Sequence, residues 1–249
     1  MREIALCKLC GEQSDFIKAH VIPRSFYPEH GGGKEPLSVV SSRTGVRKRR
    51  SQIGIYDAGL VCAVCERRFD PYDNYAARLL IQKVDEFRPV VIDGETVAYQ
   101  IERFDYFKLK MFSLSLLWRA AASTRQEFKT VEIGRFLPRL STMVRKEIPG
   151  SPETFAIIIC RFSDIGDWHS GVIFPLRRRI SGCTFYKFVM SRYVFYIKVD
   201  ISPTPSALNS LIIRPDLPLW ILAQEFKDGP EFQAMLRVLQ AQANESRGR

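Results

Sequence analysis

Cys7-Lys8-Leu9-Cys10-Gly11 and Cys62-Ala63-Val64-Cys65 decide how this chain folds at its N-terminal end. In each, two residues separate the thiols, a spacing that turns both sulfurs toward one point. Gly11 relieves the tight turn after the second thiol of the first pair. Together the four cysteines supply a closed tetrahedral set for a structural Zn²⁺. Residues 11–61, 51 in number, lie between the pairs. A compact zinc ribbon has about 15 to 20 there, so something is inserted between the knuckles. Cys160, inside the apolar run Ile157-Ile158-Ile159, and Cys183, after Gly182, read as core residues instead.

The 249-residue chain is 46% hydrophobic, enough for a substantial core. Its formal charge of +10, with a pI of about 9.4, suits a polyanionic partner, nucleic acid first. The most apolar stretch, Met111 to Trp118, falls between Lys110 and Arg119 and is far short of the roughly 20 residues of a membrane span. The start, Met1-Arg2-Glu3-Ile4, lacks the apolar centre of a signal peptide. A cytoplasmic protein without a membrane partner is expected, and in that compartment cysteines serve as ligands or core residues rather than disulfides.

Two regions are expected, 1–88 and 89–249. In the first, Asp70 suits a helix N-cap and Pro71 the first helical position. Phe69, Tyr72, Ala76, Leu79, Leu80 and Lys83 trace a helical stripe that should end near Phe87, before Pro89. In the second, Val97 to Glu102 reads as a strand and Phe104 to Ser123 as a buried helix. Val131 to Lys146 reads as a helix interrupted near Pro138. Thr154 to Arg161, Gly171 to Phe174, Cys183 to Met190 and Tyr193 to Val199 read as strands of an antiparallel sheet. Phe232 to Ala243 reads as a closing helix. The fold class expected is α+β, a zinc-stapled finger followed by a larger region of helices and sheet.

Between the knuckles come Ala19-His20-Val21-Ile22-Pro23, then Tyr56-Asp57-Ala58-Gly59-Leu60-Val61 running into Cys62. The order CxxC, His-x-Ile-Pro, Leu-x-Cys-x-x-Cys resembles the HNH endonucleases of the ββα-metal superfamily, over roughly residues 5 to 80. The resemblance implies a two-stranded hairpin followed by a helix, with His20 ending the first strand as general base. An imidazole exchanges its proton near physiological pH, which suits that task. The resemblance also implies a divalent ion, Mg²⁺ or Mn²⁺, at the scissile phosphate. The family's middle Asn falls on Asp57, and its helix-borne metal ligand on Glu66, Asp70 or Asp73. Two departures stand out. Ala19 occupies a position where many members carry a metal ligand, and the final His is absent, leaving carboxylates, which suit Mg²⁺ or Mn²⁺.

The insertion carries Arg43-Thr44-Gly45-Val46-Arg47-Lys48-Arg49-Arg50, five cations without an acid. In the resembling family this segment lies against DNA, so Arg43, Arg47, Lys48, Arg49 and Arg50 are candidate phosphate contacts. Arg177-Arg178-Arg179 is a second basic cluster, whose place relative to the first the sequence does not give. His169 reads as a turn residue, and His30, beside Gly31-Gly32-Gly33, as exposed. The function expected is DNA phosphodiester hydrolysis. The C-terminal region would supply substrate selection, a homodimer contact or a partner surface. The alternative is a zinc module that binds nucleic acid or a protein without cutting.

Overall fold

The structure is a computed structural model, and it describes residues 6–27, 37–39, 49–51, 54–164 and 172–227. Arg43, Arg47, Lys48, His30, His169 and the expected helix Phe232 to Ala243 lie outside the described residues. The fold is α+β, as the sequence predicts.

At the N-terminal end two short strands, far apart in sequence, pair and are followed by a helix. Strand β1 (Ala19–His20) pairs antiparallel with a strand that arrives only after the insertion. The insertion contributes a two-stranded ribbon of its own, β2 (Leu37–Val39) against β3 (Arg49–Ser51). β4 (Tyr56–Asp57) then closes on β1 with Ala19 opposite Asp57 and His20 opposite Tyr56. The second knuckle opens α1 (Ala63–Arg67), which runs almost directly into α2 (Asp70–Ala77). Asp70 is therefore the first helical residue and not the cap. Phe69 precedes it in helical conformation, and its carbonyl already accepts from the Tyr72 and Asp73 amides. A helix continued from an earlier turn needs no side-chain cap. Past Ala77 the helix widens into one π turn, Arg78–Gln82, then tightens at Val84–Glu86. The predicted stripe packs inward, with Phe69, Tyr72, Ala76, Leu79 and Leu80 buried, and Lys83 exposed.

Pro89 lies past the end of the helix, inside a strand that the sequence reading missed. β5 (Arg88–Ile92) pairs with β6 (Glu95–Ile101) across Asp93-Gly94. Both turn residues have positive φ, 51° and 83°, the pattern of a tight hairpin turn that suits Asp-Gly. Helix α3 (Tyr106–Ala122) follows, capped by the Asp105 carboxylate on the Lys108 amide at 2.9 Å. α4 (Leu137–Lys146) starts later than expected. Pro138 lies in its first turn, where a missing N–H costs nothing, and Val131 to Ile133 is not helical.

The remaining strands are β7 (Ile157–Phe162), β8 (Val172–Ile180), β9 (Cys183–Met190) and β10 (Tyr193–Lys198). A short helix α5 (Ser206–Asn209) leads to β11 (Leu219–Gln224). With β5 and β6 they form one seven-stranded sheet, in the order β5-β6-β11-β7-β10-β9-β8. The sheet is antiparallel except where β11 runs parallel to β7. Arg177 and Arg179 are exposed on β8, an edge strand that also carries Pro175, a combination that discourages edge-to-edge pairing. Cys160 and Cys183 are buried in the core, as expected.

α3 lies between the finger and the sheet. Phe112 stacks on Phe26 of the finger at 5.2 Å and meets Phe195 of β10 edge-on at 5.5 Å. Trp118 contacts Phe69 at 6.2 Å. One apolar cluster thus runs from Cys7 to Ile221, across residues on both sides of position 88. Among the described residues, no helix is long and apolar enough to cross a membrane.

Candidate metal centre

The two knuckles bring Cys7, Cys10, Cys62 and Cys65 together, with their sulfurs all within 4.8 Å of one another. Sulfurs about 2.3 Å from a tetrahedral zinc stand about 3.8 Å apart, so this spacing fits a single ion. None of the four is in a disulfide. The Cys62 amide reaches the Cys7 sulfur at 3.4 Å. Burial raises the Cys7 thiol, but N–H groups of Cys10, Cys62 and Leu9 outweigh it and bring the thiol down to about 7. Cys65 goes the other way, pushed up by burial and then by the thiols of Cys62, Cys10 and Cys7. Crowded thiols that raise one another in this way are relieved by a bound dication, which holds them as thiolates. The donor set can therefore hold a metal ion such as zinc.

Of the other predicted residues, His20, Glu66, Asp70, Asp73 and Asp57 fall into two groups. The first surrounds His20, which is half-buried at the end of β1. Burial pushes the Glu66 carboxyl up, the Arg119 guanidinium opposes this, and Asp73 and Asp70 add to the push. The His20 backbone N–H helps to hold the Glu66 carboxyl down. Glu66 Oε2 is buried and has no hydrogen-bond partner among the described residues. Asp70 is exposed one turn further along. Asp73 forms a two-point ion pair with Arg119, at 2.8 Å for each oxygen.

The second group is Asp57 with the end of α3. Asp57 pairs with Ala19 in the ribbon, so its side chain leaves the face opposite to that of His20. One oxygen accepts from the Gly59 amide at 2.9 Å. The other accepts from Ser123 Oγ at 2.8 Å, the Thr124 amide at 2.9 Å and Thr124 Oγ1 at 3.2 Å. Burial raises this carboxyl, and those donors, with the Lys8 charge, more than reverse it and hold Asp57 below the ordinary carboxylate range. Lys8 Nζ also caps the end of α3, donating to the Ala122 carbonyl at 2.6 Å.

Among the described residues the four cysteines are the one group whose ligand atoms gather within that 4.8 Å limit, so His20, Glu66, Asp70 and Asp73 do not form a second such set. Arg49 and Arg50 of the basic run lie on β3. The sequence reading missed Arg119. Its signal was a cation at the end of an apolar helical run, and Lys110, at the other end, is buried as well. No protein-family model matches the chain, and no curated protein or solved structure is detectably similar to it.

Proposed function

We propose that the chain is a metal-dependent endonuclease of the HNH type that hydrolyses DNA phosphodiester bonds. The observation that carries this reading is the buried Glu66 oxygen near the backbone of His20, an oxygen with no hydrogen-bond partner among the described residues. A buried carboxylate oxygen without a donor is costly unless a cation completes it. Glu66 and Asp70 are the residues that would hold a divalent ion, Mg²⁺ or Mn²⁺, and oxygen donors suit either. When bound, the ion neutralises charge on the phosphate and the departing 3′ oxygen. His20 takes a proton from the attacking water, the water oxygen bonds to phosphorus, and the bond to the 3′ oxygen breaks, the oxygen leaving with the electron pair and taking a proton from solvent. Arg43, Arg47, Lys48, Arg49 and Arg50 hold flanking phosphates. Zinc at the four cysteines frames the site and takes no part in the reaction. Asp57 serves as an anchor to α3.

A second reading, a zinc module that binds nucleic acid without cutting it, has one observation in its favour. The ligand atoms of His20, Glu66, Asp70 and Asp73 are not gathered around one point as those of the cysteines are. Supercoiled plasmid with Mg²⁺ or Mn²⁺ separates the two. The nuclease reading expects nicking by the wild type and a rate lower by about a hundredfold or more in His20→Ala. Equal rates would remove His20 from the reaction. Plasmid that is bound but stays intact under both ions would establish the second reading.

A further inference from the structure

We infer that Arg119 is a positioning residue, a buried cation from α3 that fixes the backbone of His20 against the acidic helix α2. The inference rests on the nuclease reading only for what His20 is positioned to do.

Arg119 is fully buried. A guanidinium has five N–H donors and never loses its charge at ordinary pH. All five are used here. Nε donates to the Ser115 carbonyl at 3.4 Å and Nη2 to Ser115 Oγ at 3.3 Å, both within α3. Nη1 and Nη2 grip the two Asp73 oxygens at 2.8 Å each. The remaining Nη1 donor reaches the His20 carbonyl at 3.2 Å. The guanidinium also lies over the Phe69 ring, 4.9 Å from its centre, just before α2 begins. One side chain therefore ties β1, the start of α2 and α3 together.

The backbone of His20 is held at its carbonyl, where Arg119 donates, while its N–H acts on the Glu66 carboxyl. Holding the carbonyl restrains the direction in which the imidazole leaves the strand. A general base displaced by about 1 Å loses roughly a hundredfold in rate. If only the fold needed a buried cation here, the Ser115 and Asp73 bonds would suffice. The bond to His20 is the one that reaches the candidate base. Asp73, in this arrangement, anchors Arg119.

Removing Arg119 alone leaves the Asp73 charge buried and unpaired, which can unfold the chain. The test is therefore the double variant Arg119→Met, Asp73→Leu in the full chain, which removes both charges and keeps the volume. Arg119→Lys, which keeps the charge but not the fork, serves as a companion. The chain has three histidines, so the imidazole ¹⁵N resonances of His20 are readily assigned with His20→Ala. In a double variant that keeps the wild-type melting curve, His20 resonances should move while those of His30 and His169 stay. Plasmid affinity should stay within twofold and the nicking rate should fall tenfold to a hundredfold. Arg119→Lys, if folded, should show the same His20 shift. Unmoved His20 resonances in the folded double variant would overturn the inference. A double variant that no longer folds would also overturn it, because Arg119 would then be serving the core. If the wild type cuts no DNA, the resonances still decide the inference, and the nuclease reading fails alone.

Discussion

Asp57 shows how a single side chain changes meaning once its partners are known. By position it stands where the resembling family carries its middle Asn, yet its carboxylate is spent on Gly59, Ser123 and Thr124. Hydrogen bonds to a charged group contribute roughly 1.5–3 kcal/mol. Asp57→Ala should therefore destabilise the protein by about 3 kcal/mol, read as a shift in the urea midpoint. The donors, with Lys8, depress this carboxyl on folding, so its contribution is complete above the ordinary Asp value of about 4 and is lost as pH falls through the lower folded value. The stability gap between wild type and Asp57→Asn should hold from pH 7 to pH 5 and close below about pH 4. A gap that widens in acid would contradict that sign. The sequence could nominate Asp57 but could not show its use, because Thr124 is 67 positions away. Arg119 was hidden for the same reason. Nothing local pairs it with Asp73, 46 positions earlier.

At the scale of elements, what could be read was what local chemistry decides. The buried stripe of α2, the long helix α3 and strands β9 and β10 were legible because periodicity and β-branching act within one element. The start of α2 was misread because α1 continues into it and removes the need for a cap. β11 escaped the reading, and only pairing with β6 and β7 gives it a place in the sheet. The Asp93-Gly94 turn was legible in principle, since it stands between the β-branched runs of β5 and β6. The insertion carries its own prediction. Each phosphate-binding cation lost lowers the slope of log affinity against log salt by about 0.9. Neutralising Arg47, Lys48, Arg49 and Arg50 together should weaken plasmid binding and lower that slope by about 3 to 4, measured by fluorescence anisotropy across a salt series. An unchanged slope would move the DNA surface elsewhere, with the Arg177 and Arg179 edge of β8 as the next place to look.

The whole molecule joins what the sequence divides at position 88. Apolar residues announce that they will be buried, but not against which partner. Phe112 settles that by touching Phe26 on one side and Phe195 on the other. Lys8, Asp57 and Asp73 then fasten the finger to the second half of α3 and the turn after it. Residues of the larger region thus tie down the N-terminal part of the chain. Both ends of the finger in turn meet at the four sulfurs. Everything proposed about His20 depends on that frame, and zinc K-edge absorption of the native protein reads it directly. One zinc per chain is expected, with four sulfur neighbours at about 2.3 Å. A chain that binds no metal, or a zinc with nitrogen or oxygen in place of any of the four sulfurs, would contradict it.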